Sequence, residues 1–215
     1  MKKLIRGIIE FRNKLQPAYR ETFARLALGQ KPDALFITCS DSRVAVNVFA
    51  STDPGDLFVI RNVGNMIPPC GDDGISTGDE SEAAAVEFAL ENLNISHIVV
   101  CGHAECGAMH AIAHGREKVA PPHLRSWLRL GEEALRGELN VDANELSKRN
   151  VLLQIEHLKT YPEIRQRHRA GRLQLHGLWF DLPRADVYYY DPSAKKFVIL
   201  DETMGSRLLK TFAPS

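Results

Sequence analysis

Ala34-Leu35-Phe36-Ile37-Thr38-Cys39-Ser40-Asp41-Ser42-Arg43 is the stretch that decides the fold. Its first five residues are a short β-rich apolar run. The next five break into a polar loop carrying a thiol, a carboxylate and a guanidinium. That pattern predicts a strand ending at an active site, because ligands of open α/β sheets gather beyond the carboxyl ends of the strands. Further along, Ile98-Val99-Val100-Cys101 repeats the buried-strand pattern and runs straight into Gly102-His103-Ala104-Glu105-Cys106-Gly107. Two such ends, on close strands of a parallel sheet, deliver the soft donors that a zinc site needs.

The bulk composition suits this reading. The 215 residues, 44% hydrophobic and 25% charged, fit one soluble domain spanning 1–215 with ample core. Basic and acidic residues balance at 27 each, so charge gives no case for nucleic acid or an anionic membrane. Met1-Lys2-Lys3-Leu4-Ile5-Arg6 starts like a signal peptide, but Arg6, Glu10 and Arg12 interrupt the apolar region and no cleavage site follows. No apolar run approaches the ~18 residues of a membrane span. The expected address is the cytoplasm, with the 4 cysteines as thiols or metal ligands.

Along the chain, Leu4, Ile8, Phe11 and Leu15 predict an amphipathic helix over 2–15, ended or bent by Pro17, and a second helix from Arg20 to Leu28. This arm has no local strand to pack on, so its stripe covers the main core or a partner subunit. Leu57-Phe58-Val59-Ile60 reads as a buried parallel strand that leaves through Arg61-Asn62-Val63-Gly64-Asn65. Asp79 and Glu82 resemble a capping box before an Ala-rich helix to Leu93. A short helix follows from Cys106 to about His114, then an amphipathic one carrying Leu124, Trp127, Leu128 and Leu135. A long helix spans Asn144 to Tyr161, closed by Pro162. Leu173 to Phe180 reads as a strand, and Val187–Tyr190 with Phe197–Leu200 as a hairpin. The alternation argues for an α/β domain with a mainly parallel central sheet flanked by helices.

Cys101, inside an apolar strand, reads as a small buried hydrophobe, and Cys70 is left unassigned. Cys39, His103 and Cys106 each stand just past a strand. Two thiolates and an imidazole favour zinc over magnesium or calcium, and three ligands leave the open fourth position of a catalytic site. Asp41 and Arg43 are spaced to meet on one side of an extended loop. Beside a metal, Arg43 keeps Asp41 ionised and turned away from direct ligation, free to orient a zinc-bound hydroxide. Sharper-looking motifs fail. His103-Ala104-Glu105 lacks the Cys-x-x-Cys of zinc deaminases, and Ala108 stands where the lysine of a phosphate loop belongs.

Cys39-Ser-Asp41-Ser-Arg43, Arg61-Asn-Val-Gly-Asn65 and His103-Ala-Glu-Cys106-Gly107 together resemble the signature segments of the β-class carbonic anhydrases. The likeness extends over Gly29-Gln30, Pro54 to Phe58, Asn150 to Pro162 and Leu175-His176-Gly177, and is greatest to the bacterial and plant-like branch. It implies zinc on Cys39, His103 and Cys106, an Asp41–Arg43 catalytic dyad, and reversible hydration of carbon dioxide to bicarbonate and a proton, a lyase reaction. It also implies a substrate pocket at a dimer interface, mapped onto Gln30, Phe58, Val63, Phe88 and Gly107. The arm over 2–28 would embrace the partner, giving a homodimer or a dimer-based homotetramer. In a closed state Asp41 becomes a fourth metal ligand, favoured at low pH. Phe88 stands where plant relatives carry tyrosine. Phe36 and Thr38 replace the tryptophan and glycine of members inhibited by bicarbonate at a second site. Alternatives are hydrolysis of carbon disulfide or carbonyl sulfide on the same scaffold, and a non-catalytic zinc or thiol module. No nearby histidine is obvious as a proton shuttle.

Overall fold

Four apolar runs form parallel strands because the sheet they share is covered on both faces. The computed structural model describes residues 1–78, 80–138 and 140–212. Strand β1 is Ala34–Cys39, β2 Leu57–Asn62, β3 His97–His103 and β4 Gln174–Asp181; β5 Asp186–Asp191 and β6 Lys196–Ile199 form the expected hairpin. They make a six-stranded sheet in the order β2-β1-β3-β4-β5-β6. The pairs β1–β2, β1–β3 and β3–β4 are parallel, while β4–β5 and β5–β6 are antiparallel. Every residue of the central β1 is buried. From β1 the chain moves outward to β2, then crosses back to place β3 on the other side of β1. The strand order therefore reverses at the β1–β3 seam, where a crevice opens beyond the strand ends.

The N-terminal arm differs in detail from expectation. Helix α1 (Lys2–Glu10) passes through a π-helical turn over Phe11–Leu15 directly into α2 (Gln16–Leu26). Pro17 sits in the first turn of α2 and begins that helix. Its missing N–H is absorbed where the wider turn already interrupts the helical ladder. Neither helix buries a residue, and Leu4, Ile8, Phe11 and Leu15 are all exposed.

The other helices cover the sheet. Helix α3 (Val46–Phe49) closes one face, where Phe49 stacks on Phe180 at 4.7 Å and packs with Phe36 and Cys101. Helix α4 (Glu80–Glu91) lies on the opposite face over Leu35, Ile37 and Ile98. Asp79, the expected cap of this helix, lies outside the described residues. Helix α5 (Gly107–Ala113) follows β3, and α6 (Pro122–Trp127) passes into a 3-10 run over Leu128–Leu135. The single amphipathic helix expected here is thus split in two. Helix α7 (Ala143–Thr160) is capped by the Asp142 carboxylate, which accepts from the Asn144 and Glu145 amides at 3.0 Å each. Pro162 both stops α7 and opens α8 (Pro162–Arg169). A last helix, α9 (Glu202–Phe212), was not expected from the sequence. Among the described residues no helix is long and apolar enough to cross a membrane.

Candidate metal centre

Thr38 lies opposite Cys101 in the parallel register, so the carboxyl ends of β1 and β3 lie side by side. Cys39 closes β1 and His103 closes β3. The chain then folds back through Glu105, whose backbone is left-handed (φ 53°), to present Cys106 just before α5. That turn is held by Asn144, whose Oδ1 accepts from the Glu105 amide at 2.8 Å and whose Nδ2 donates to the Glu105 carboxylate at 3.1 Å. The Sγ atoms of Cys39 and Cys106 and a ring nitrogen of His103 lie within 4.8 Å of one another, and all three side chains are buried.

The protonation of these donors suits a cation. His103 Nδ1 is 2.8 Å from the Ala104 carbonyl, to which it must donate, so the lone pair lies on Nε2. Nε2 is buried and has no hydrogen-bond partner among the described residues, which a structure tolerates poorly unless an ion takes the lone pair. The hydrogen bond with Cys106 is the main force pulling the Cys39 thiol down, against its burial and aided by the Gly64 amide. Cys106 is pushed up by the same bond and by burial. With the imidazole nitrogen within 4.8 Å of both sulfurs, the three donors are spaced to share one divalent ion. A thiolate pair and a neutral imidazole form a soft donor set.

Beside these donors Asp41 is clamped. Arg43 donates from Nε to Oδ1 at 2.9 Å and from Nη2 to Oδ2 at 2.7 Å, and its backbone amide adds a bond at 3.0 Å. The guanidinium also donates to the Glu105 carbonyl at 2.9 Å, tying this loop to the one between His103 and Cys106. Chiefly because of the Arg43 hydrogen bonds, the Asp41 carboxyl is held well below the usual carboxylate range. Its Oδ2 stands 4.0 Å from His103 Nε2.

Several supports were not legible as such in the sequence. Arg61 donates to the carbonyls of Cys39 (2.9 Å) and Asp41 (2.8 Å), fixing the loop that carries both. The Gly64 amide points at Cys39 Sγ at 3.4 Å, and the Gly64 carbonyl accepts from Asn150 of α7 at 3.0 Å. Gly64 has φ +82°, and a Cβ there would meet Met66 and Ala108 at 2.8 and 2.9 Å. Ser147 of α7 donates to the His103 carbonyl at 2.9 Å and accepts from Trp179 at 3.2 Å. These partners come from distant segments, and no local pattern announces them.

A pocket of about 320 Å³ opens on the site between Asp41, Val63, Gly107, Ala111, Leu124 and Leu128. Val63 and Gly107 line it. Gln30, Phe58 and Phe88 do not line it. Gln30 precedes β1, and Phe58 pairs with Leu35, well short of the strand ends. Phe88, on α4, stacks on Phe58 at 5.7 Å. Cys101 is fully buried and its thiol is pushed up to about 12, as a core residue rather than a ligand. Cys70 lies in the loop before α4, where burial raises its thiol as well.

The sequence profile described as carbonic anhydrase matches residues 34–187. A carbonic anhydrase of Synechococcus elongatus is 39% identical over 211 residues, covering 94% of this chain and 76% of the relative. One from Pseudomonas aeruginosa is 37% identical, covering 94% and 93%. Among solved structures, the β-carbonic anhydrase CcaA superposes with a TM-score of 0.85 at 36% identity, covering 94% of this chain and 92% of that one. A tetrameric β-carbonic anhydrase of Sordaria macrospora gives a TM-score of 0.73 at 26% identity, covering 87% and 95%.

Proposed function

The chain belongs to the carbonic anhydrase family, in its β class, and from that premise we propose how its own residues carry out the hydration of carbon dioxide. The enzyme is a lyase that interconverts carbon dioxide and bicarbonate. The observation that carries the residue assignment is the buried triangle of Cys39, His103 and Cys106, with one unsatisfied imidazole nitrogen facing a sulfur pair.

These three side chains hold zinc, the borderline-soft ion that accepts two thiolates and an imidazole and keeps a fourth position open. When bound, zinc supplies Lewis acidity that brings water within reach of deprotonation near neutral pH. Asp41, ionised and clamped by Arg43, accepts the hydrogen bond that aims the attacking water. Val63, Ala111, Leu124 and Leu128 give the small apolar substrate a dry wall. In a closed state, favoured at low pH, Asp41 would leave Arg43 and serve as a fourth ligand to the metal.

Residues 1–215 act as one domain, and the exposed arm seats on a second copy. In that dimer Gln30, Phe58 and Phe88 complete the pocket of the partner, the Gln30 amide holding a substrate or bicarbonate oxygen. The exposed stripe of the arm and the tetrameric relative support a homodimer or a tetramer built from dimers. The free cysteines suit a reducing cytoplasm. Hydrolysis of carbon disulfide is not favoured by the comparisons. A closed structural zinc site would need a fourth protein donor; among the described residues only three gather, and Arg43 holds Asp41 aside.

The test is stopped-flow carbon dioxide hydration on protein of measured zinc content, with Cys106→Ser as control. Turnover proportional to zinc, and absent in the control, is expected. Turnover independent of zinc would end the assignment.

A further inference from the structure

Each hydration releases one proton, and neither the metal ligands nor the Arg43-clamped Asp41 is free to carry it to solvent. The described structure contains all 8 histidines of the chain. Seven have ring nitrogens already engaged. His97 and His176 bond each other at 3.0 Å, and His103 bonds the Ala104 carbonyl. His110 meets the Glu105 carboxylate, while His114, His157 and His168 bond the carbonyls of His110, Ile67 and Leu173. His123 alone, exposed at the start of α6, makes no hydrogen bond, ion pair or ring contact among the described residues.

His123 lines a chamber of about 700 Å³ beside the substrate pocket. The two spaces adjoin, with Ser40, Val63 and Leu124 lining both. The other titratable groups of the chamber are unsuited to the task. Glu82 has Oε1 accepting from Asn62 at 3.2 Å and Oε2 without a partner among the described residues, but it is buried and so closed off from the buffer that must take the proton. Arg129 donates to the Ser126 and Thr77 carbonyls, and a guanidinium has no acceptor to receive a proton. Histidine is the side-chain type that takes up and releases protons near neutrality.

We propose that His123 is the proton-transfer residue of the hydration reaction, receiving the released proton through the chamber and delivering it to buffer. This rests on the carbon dioxide reading above. As the water oxygen bonds to carbon, one water O–H bond breaks. Its proton passes through water in the chamber to one nitrogen of the His123 ring, and the proton on the other nitrogen leaves to a buffer base. The imidazole returns to its starting state, and the sum is carbon dioxide plus water giving bicarbonate plus a proton.

The experiment is stopped-flow hydration by zinc-loaded wild type and His123→Ala, in dilute bulky buffer and again with added imidazole. For the variant in dilute buffer, kcat falls roughly ten- to hundredfold, the range general acid–base groups contribute. Its kcat/KM holds, and imidazole restores kcat. A variant with wild-type kcat in dilute buffer overturns the proposal, as does a loss that imidazole fails to rescue. Metal-replete wild type with no turnover in any buffer would instead remove the carbon dioxide reading, and this route with it.

Discussion

Arg43 decides which way Asp41 faces. Its two side-chain bonds leave the carboxylate ionised and turned across the site. Replacing Arg43 with Ala frees Asp41 to swing onto the metal, and kcat is expected to fall roughly hundredfold or more, as misplacing a reacting partner costs. Arg43→Lys should restore little, because a single ammonium cannot reproduce the paired donors. Steady-state rates on the two variants check this, and near-normal activity in Arg43→Ala would dismantle the dyad. The sign of the pH effect follows from the depressed Asp41 pKa. The clamp contributes above the ordinary carboxylate range, near pH 4, and is lost only as pH falls through its lower folded value. The neutral range thus leaves it intact. Metal retention should fail sooner on acidification, since protons compete for Cys39, Cys106 and His103. Zinc content after dialysis across a pH series measures it.

At the level of elements, α7 carries a row of amides and an imidazole where a core helix ordinarily carries aliphatics. The Gln154 Oε1 accepts from the Ile67 amide at 2.7 Å, and its Nε2 donates to the Leu130 carbonyl at 3.0 Å. Gln154→Leu orphans both backbone groups in the core and should cost about 2–4 kcal/mol, read from denaturant unfolding. Helix α9 rests on a second, half-buried polar feature. The ring of Phe212 meets those of His97 and His176 edge-on, at 5.6 and 5.3 Å. Burial, then the neighbouring His97, lowers His176 from the usual 6.5 to about 4, while Asp33 partly offsets the lowering of His97. The fold favours neutral rings, so stability is complete above pH 6.5 and declines as pH falls from there towards 4. The loss should be on the order of 1–2 kcal/mol at pH 5. His176→Gln should flatten that decline in urea midpoints, with Tyr189, the other ring touching His176, left in place. Strand ends could be read ahead because each apolar run stops at a polar cluster. Leu124 and Leu128 could not be read as pocket wall, since amphipathic spacing shows that a face is buried and not what it faces. Helix α9 stayed hidden because Met204-Gly205-Ser206 dilutes its helical signal.

Across the whole molecule, the arm is the element that buries none of its own residues. Its exposed Leu4, Ile8 and Phe11 form an apolar stripe of the kind that marks interaction surfaces. Ile8→Glu with Phe11→Glu should give monomers by light scattering, and activity should fall with the dimer if Gln30, Phe58 and Phe88 serve the neighbouring pocket. Monomers of full activity would show that each chain is catalytically self-sufficient. The sequence placed Cys39, Asp41, Arg43, His103 and Cys106 at one point because all five lie within a few residues of two strand ends. Of the pocket positions mapped by resemblance, Gln30, Phe58 and Phe88 do not line the cavity, because a residue's company there depends on chain crossings that no local pattern shows. The facing sulfurs of Cys39 and Cys106 carry one more consequence. Stripped of its ion by a chelator in air, the protein holds a ready-made pair for oxidation by dissolved oxygen to a cystine across the seam. Enzyme stored that way should lose thiol titre and refuse fresh zinc until a reductant is added.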